Sequence, residues 1–325
     1  MRADGCVSGH TSDASMRLQK HLIGAFPTHA AWARGATICS TDGVKFTDFI
    51  GTDSVLGYAN DGISQALSRQ IQRGSIFSIP PQLEVEAAEK LKELVPHIDV
   101  VRFFKSRKAA LDFAISSARA FKPNRSPMVL EPHYFSQATL NELFSSYKRA
   151  GDAIIFDESD STFRVPKYTL SEHFGVIPDF IILGGALASG LPLFAVGGKL
   201  SSMAVDDGLD SDPYTLDTMA LCSFIATASI LQTRYSLKDL WDEALSFQKE
   251  FNKLWPKVQL VGQMPTLLQL AGDKEALVSF KRDCAISGIL FRDTVKFSFP
   301  LASEWKQALT ILKPIVMRLK TRGLH

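Results

Sequence analysis

The sequence lacks an excess of charge of either sign and lacks any cluster of cysteines. Its 36 basic and 34 acidic residues give a net charge of +2, and neither sign forms a continuous block. This balance argues against nucleic-acid or membrane-surface binding, since both depend on concentrated positive charge. The cysteines have neither metal-type nor paired spacing: Cys6, Cys39, Cys222 and Cys284. We therefore expect no metal site and reduced thiols in a cytoplasmic protein.

Long uninterrupted apolar segments are also missing. The most apolar stretch, 180–198, is broken by several glycines and by Pro192. That punctuation excludes a membrane-spanning helix and favours two buried strands joined by a loop. Residues 1–20 are polar and rich in small residues, without the apolar centre of a signal sequence. We expect them to form a mobile leader.

Alternating strand and helix patterns are what the sequence does contain. The predicted strands lie at 100–104, 127–131, 153–157, 180–183 and 193–196. The predicted helices around them lie at 61–73, 81–95, 107–121 and 136–150, and residues 216–254 are predicted to be almost wholly helical. This alternation predicts an α/β fold with a mainly parallel sheet covered on both faces.

The length of the chain predicts more than one lobe. With 325 residues and 46% hydrophobic content, the protein can bury a large core. We expect residues 61–256 to form a large domain that carries the site. Residues 21–60 and 257–325, from the two chain ends, are expected to form a smaller α/β domain.

Several segments together carry a family pattern. Residues 179–192 form an apolar strand that runs into a glycine-rich turn, and residues 154–164 contain Phe-Asp-Glu followed by Thr-Phe-Arg. Residues 129–132 read Val-Leu-Glu-Pro, residues 74–91 lead from Gly-Ser-Ile-Phe into a helix, and residues 40–61 contain an Asp-Gly hairpin and a Leu-Gly turn. In order and framing, these segments resemble the class III pyridoxal-phosphate-dependent aminotransferases, in particular the glutamate-1-semialdehyde aminomutases.

The resemblance implies a trimmed fold-type I architecture and a site that lacks its usual lysine. In the family, the position of Gly185 holds the lysine that forms a Schiff base with the cofactor and then moves the substrate proton. Glycine can do neither. Lys167 and Lys199 flank the region as weak candidates to replace it, and each is equally explained as a surface lysine.

The predicted cofactor contacts are partly retained. Asp157 stands where the family places the acid beneath the pyridine nitrogen, and Glu131 stands in the preceding Glu-Pro strand end. Asp157 is otherwise explained as an ordinary acid at the carboxyl end of a strand. The family's phosphate loop is replaced by Ser106, Arg107 and Lys108, which either bind phosphate by charge or form a solvated basic turn.

Two further features concern the cofactor ring and the assembly. The family's ring-stacking aromatic falls in a segment this chain lacks, and His133 or Tyr134 is the nearest replacement, although Tyr134 could instead be a core residue. Thr215 matches a threonine that, in the family, reaches the cofactor phosphate of the neighbouring subunit. This match implies a homodimer, unless Thr215 only caps the apolar helix that follows.

The sequence therefore supports two hypotheses. The first is an aminotransferase-like protein that binds pyridoxal or pyridoxamine phosphate noncovalently and transfers amino groups of small amino compounds slowly or partially. The second is a catalytically dead pseudoenzyme that acts as a binding or scaffolding protein. The retained acids and basic loop favour the first, whereas the missing lysine and stacking element favour the second.

Overall fold

The structure is a computed structural model that describes residues 11, 22, 24–51, 53–203 and 214–322. Apart from Thr11, the leader predicted at 1–20 lies outside the described residues. Within the described part of the chain, no helix has both the length and the apolar character needed to cross a membrane. The proposed division into two domains stays a prediction.

The elements alternate along the chain as the sequence predicts. The strands are β1 Ala30–Arg34, β2 Thr37–Ser40, β3 Lys45–Asp48, β4 Val100–Phe104, β5 Met128–Leu130, β6 Ile154–Asp157, β7 Phe180–Leu183, β8 Phe194–Gly198, β9 Val258–Met264, β10 Leu267–Gly272, β11 Ile289–Leu290 and β12 Thr294–Lys296. The helices are α1 Asp61–Ile71, α2 Gln82–Leu94, α3 Arg107–Phe121, α4 Gln137–Ala150, α5 Leu170–Phe174, α6 Leu200–Met203, α7 Thr218–Arg234, α8 Leu237–Asn252, α9 Lys274–Ile286 and α10 Phe299–Thr321.

The central sheet has five strands in the order β4-β8-β7-β6-β5. β5, β6 and β7 are parallel to one another, whereas β8 runs antiparallel to both β7 and β4. All strands except β8 therefore point in one direction. The predicted α/β class is confirmed, with a sheet that is mixed rather than purely parallel.

Helices cover both faces of this sheet, and β7 shows why its sequence is apolar throughout. Its four residues are all buried. Phe180 and Ile182 belong to the apolar cluster that contains α3, while Ile181 and Leu183 belong to the larger cluster that contains α2 and α7. Because successive strand side chains point to opposite faces, a strand buried on both sides must be apolar at every position.

The two chain ends form smaller sheets beside the central one. β1, β2, β3 and β11 form one sheet, in which β11 from the C-terminal region pairs parallel with β3. β12, β10 and β9 form an antiparallel sheet. Lys296 of β12 contacts Asp160, and Asp53 accepts a hydrogen bond from Arg164, so both ends of the chain reach the segment that follows β6.

Candidate functional site

Asp157 ends β6 and lies at the centre of the site. Its side chain is only 1% exposed, yet both carboxylate oxygens have partners. Arg107 Nε donates to Oδ2 at 2.7 Å, and the main-chain amide and hydroxyl of Ser159 donate to Oδ1 at 3.1 and 2.6 Å. The predicted cofactor acid is therefore already hydrogen-bonded and neutralised by the chain itself.

Arg107, the first residue of α3, joins three acidic residues. Besides Asp157, its guanidinium contacts Glu131 at 2.9 Å and approaches Asp160 at 3.9 Å. Burial alone would lower the pKa of Arg107, but the hydrogen bonds and charges of Asp157 and Glu131 outweigh that effect and raise the pKa above its usual range. The guanidinium is firmly cationic and holds the ends of β5, β6 and α3 together.

The turn Pro132–Tyr134 places two rings next to this ion pair. The side chain of His133 is 7% exposed, and its ring centroid lies 4.1 Å from that of Tyr134. Burial lowers the pKa of His133, although nearby carboxylates oppose the shift. Tyr134 is 65% exposed, so the alternative that it is a core residue is wrong.

Three side chains here have the composition of a metal site. Single ligand atoms of Glu131, His133 and Asp160 lie within 4.8 Å of one another. Arg107 already supplies a positive charge to both carboxylates. The expectation that the protein holds no metal stays a prediction.

Gly185 lies in the turn after β7, in a conformation that excludes a side chain. Its φ is +51°, and a Cβ added there would lie 2.7 Å from the carbonyl oxygen of Ser159. Real Cβ atoms do not approach a main-chain oxygen so closely, because the contact is well inside van der Waals range. The position that holds lysine in the resembled family therefore holds glycine here, and the Ser159 carbonyl leaves no room for a side chain on this backbone.

The predicted phosphate loop uses its polar groups internally. Ser106 caps α3, and its hydroxyl accepts a hydrogen bond from a main-chain amide of that helix. Lys105 pairs with Asp217 at 2.9 Å, and the exposed Lys108 pairs with Asp112 at 2.5 Å. With Arg107 turned toward Asp157, the cations of this loop all have carboxylate partners within the chain.

The apolar helix α7 is capped by a different residue from the one considered in the sequence. Asp217, whose side chain accepts from the amide of Met219, is the N-cap. Thr215 lies half-buried before that cap, so the alternative that it caps the helix is wrong. Its predicted contact with a neighbouring subunit stays a prediction.

The two flanking lysines do not converge on Gly185. Lys199 follows the end of β8, which is antiparallel to β7, so it lies at the opposite edge of the sheet from the turn after β7. It pairs there with Asp99 at 3.1 Å. Lys167 is exposed in the loop before α5.

The structure brings in Lys296, which the sequence reasoning missed. Lys296 is the last residue of β12, and its Nζ pairs with Asp53 and lies 4.0 Å from Asp160. Burial pushes the pKa of Asp53 upward, but the ion pair with Lys296 outweighs it and the pKa lies below its usual range. The buried Arg164 joins the same segments by donating to the main-chain carbonyls of Phe297 at 3.0 Å and Asp53 at 2.8 Å.

These contacts decide whether the site fits pyridoxal phosphate. A bound cofactor ring would need Asp157 free for its nitrogen, a lysine near its aldehyde and unpaired donors for its phosphate. Arg107 instead forms an ion pair with Asp157, and the carbonyl oxygen of Ser159 leaves no room for a side chain at Gly185. The cations of the basic loop pair with carboxylates of the chain itself. Position 185 thus offers a cofactor no amine, and a ring placed on Asp157 would require Arg107 to leave that carboxylate.

Structural comparison defines the class of fold. The structure of the pyridoxal-phosphate internal aldimine form of the FumI protein from Sphingopyxis sp. MTA144 superposes with a TM-score of 0.85 at 16% identity, covering 99% of this chain and 96% of that one. An omega-transaminase from Sphaerobacter thermophilus gives 0.80 at 17% identity, covering 97% and 95%. At these identities the likeness concerns the fold, which is that of fold-type I aminotransferases.

Sequence comparison then gives the relatives. No protein-family model matches the chain. Glutamate-1-semialdehyde 2,1-aminomutase of Syntrophobacter fumaroxidans is 24% identical over 287 residues, which cover 64% of this chain and 66% of that protein. The same enzyme of Sorangium cellulosum is 24% identical over 257 residues, covering 56% and 59%. The matched segments thus span less than two thirds of either relative, and they confirm the predicted resemblance to the class III aminotransferases.

Proposed function

We propose that this chain is an aminotransferase-like binding protein that does not carry out lysine-dependent amino transfer. The observation that supports this most is the ion pair between Arg107 and Asp157, 2.7 Å long, in the place where the family resemblance puts the cofactor ring. Pyridoxal phosphate, when bound, supplies an aldehyde and an electron-accepting ring. In this chain the matching acid, Asp157, is paired with Arg107, and position 185 has no room for an amine-bearing side chain. The cations of the phosphate loop are paired with carboxylates of the chain.

Electrostatics favour the internal pair over a ligand. Asp157 is almost fully buried, and a buried carboxylate left without a cation or donors costs several kcal/mol. Arg107 and Ser159 supply those partners. A pyridinium ring could replace Arg107 only if the guanidinium also gave up its contact with Glu131. A ligand at Asp157 would have to displace this pair, which supports the proposal.

A second candidate function has one observation in its favour. Asp157 keeps its place at the end of β6, and Ser106, Arg107 and Lys108 lie at the start of α3, where a helix terminus attracts phosphate. These residues support noncovalent binding of pyridoxal or pyridoxamine phosphate, with Thr215 contributed by a partner subunit. Slow or partial amino transfer with a small amino compound would follow from that mode.

The assembly we propose is a homodimer. Three apolar side chains of one loop are exposed, Ile76 at 49%, Phe77 at 44% and Ile79 at 74%. The loop is not loosely attached, because Thr218 donates from its amide to Ser75 at 2.9 Å and from its hydroxyl to the preceding carbonyl at 2.8 Å. A fixed apolar loop next to the segment of Thr215 is typical of a protein interface.

Pyridoxamine phosphate tests the choice between the two functions. It carries an amine instead of an aldehyde, so it cannot form an imine with any lysine, and its binding reports only on the pocket. We expect isothermal titration of the native protein to show no saturable binding at millimolar ligand. Saturable binding that is lost in Asp157→Asn and strengthened in Arg107→Ala would overturn the proposal and establish the second candidate. Lys238→Ala serves as the control variant, because Lys238 is also exposed and ion-paired but lies outside the site.

A further inference from the structure

A separate cavity lies beside the Arg107 ion pair and contains an amine. Its volume is about 270 Å³, and its lining includes His133, Tyr134, Asp160, Gln263 and Lys296. It is bounded on one side by the turn after β5 and on the other by the sheet of β9, β10 and β12. Asp157, Arg107 and Gly185 are not among its lining residues, whereas His133 and Tyr134, the predicted ring-stacking candidates, are, so the cavity adjoins the cofactor position.

The backbone around Lys296 is closely packed, and two carboxylates locate its Nζ. Lys296 pairs with Leu267 in the antiparallel sheet, and its carbonyl oxygen and Cβ lie 2.5 and 2.7 Å from where a Cβ of Gly51 would stand. Gly51, with φ of +75°, is therefore needed for the close approach of these two segments. The side chain of Lys296 is 22% exposed, and its Nζ lies between Asp53 and Asp160.

We propose that Lys296 is an imine-forming lysine, and that the cavity takes a small polar aldehyde which condenses with its amine. In the step, the protonated amine releases a proton, its nitrogen bonds to the carbonyl carbon, and the carbonyl oxygen leaves as water. The imine takes up one proton, so ammonium plus aldehyde gives iminium plus water. Atoms and charge balance without any oxidant or reductant.

The carboxylates stabilise the product as they stabilise the starting ammonium. Both the ammonium and the iminium carry a positive charge, so the contacts with Asp53 and Asp160 are kept in the product. The neutral amine that attacks the carbonyl must first give up the ion pair, a cost shared by Lys199, which is paired with Asp99. Positioning in the cavity is what favours Lys296. His133 lines the same cavity, and its Nδ1 has no hydrogen-bond partner among the described residues, so its imidazole offers a base for the proton that the amine must lose.

The size and lining define the ligand class. A volume of about 270 Å³ holds about nine water molecules. A small aldehyde fits this volume. Gln263, Gln269 and Thr294 line the cavity with amide and hydroxyl groups, so the aldehyde should carry a polar group such as a carboxylate.

The competing explanation is that the pair of Lys296 and Asp53 is only structural. Lys296→Arg separates the two, because arginine keeps the positive charge but its guanidinium does not form an imine under these conditions. Lys199 is the matched control lysine. It is also paired with an aspartate, Asp99, but its side chain is 55% exposed. If exposure alone set the rate of modification, Lys199 would react faster than Lys296.

The test uses glyoxylate as the aldehyde, with cyanoborohydride to reduce any imine, followed by peptide mapping by mass spectrometry. We expect Lys296 to be labelled at least about tenfold faster than Lys199, as positioning in the cavity requires. Lys296→Arg should remove that fast label while keeping the melting temperature close to that of the native protein. Labelling of Lys199 ahead of Lys296, or a fast label that persists in Lys296→Arg, would overturn the proposal. Because pyridoxamine phosphate forms no imine and glyoxylate has no ring, this test and that of the proposed function fail independently.

Discussion

The closure of position 185 predicts a loss of stability when any side chain is placed there. Gly185→Ala forces a residue with a Cβ into φ of +51°, which costs about 1–2 kcal/mol. The new Cβ would also lie 2.7 Å from the carbonyl oxygen of Ser159, so the backbone must move, at a further cost of about 1–3 kcal/mol. The total of about 2–5 kcal/mol is a large share of the 5–15 kcal/mol typical of a folded protein.

Gly175→Ala separates the two contributions. Gly175 ends α5 with φ of +70°, and a Cβ added there would meet nothing within 4 Å. It therefore carries only the conformational cost of about 1–2 kcal/mol. The difference between the two variants measures the contact with Ser159 alone.

Urea unfolding followed by circular dichroism gives both free energies, at one protein concentration because we propose a dimer. We expect Gly185→Ala to lose about 1–3 kcal/mol more than Gly175→Ala, without a change in the slope against urea. Equal losses would refute the reasoning, since they would mean that the backbone of the turn moves away from the new Cβ without a loss of free energy of unfolding. Gly185→Lys has the same backbone problem, so we expect it to lose at least as much stability and to show no aldimine absorbance with pyridoxal phosphate.

Three other predictions follow from the site and the surface. Arg107→Leu should lower the free energy of unfolding by about 1–2 kcal/mol in urea, less than for a fully buried pair because the arginine is 41% exposed; no loss would show that Asp157 does not need it. Burial raises the pKa of Glu158 from 4.5 to about 7, so the native protein should lose about 3 kcal/mol of stability as pH rises through that interval. Glu158→Gln should flatten that pH dependence, and an unchanged slope would contradict the burial argument. Light scattering at micromolar concentration should give a dimer, and Phe77→Ser with Ile79→Ser should shift it toward monomer.

Much of the fold could be predicted because its signals are local. Helix α3 and strands β4 and β7 were predicted with the bounds they have, since continuous apolar runs and helical spacing are properties of short segments. The reversal of β8 also has a signal that the sequence reasoning did not use. Residues 184–193 are too short a connection for the crossover that parallel strands require.

The site could be predicted only in part. Asp157 and Arg107 were both expected near the cofactor position because the family resemblance places them there, at the end of a strand and the start of a helix. That they bind each other instead of a ligand depends on side-chain direction, which spacing does not give. Lys296 could not have been found at all, because it reaches the site through the packing of a distant antiparallel sheet, held by the buried Arg164.

Asp53 connects the closed position to the cavity lysine. Its carboxylate carbon lies 3.7 Å from where a Cβ of Gly185 would stand, and its oxygen pairs with Lys296. A long side chain at 185 would therefore have to pass both Ser159 and Asp53, so it would compete with the ion pair for the same space. The glycine at position 185 and the ion pair of Lys296 are therefore linked. Without a side chain at 185, Asp53 can approach the turn and also pair with the amine of Lys296. An amine is thus still presented near this edge of the sheet, from a different strand and toward a different, smaller cavity.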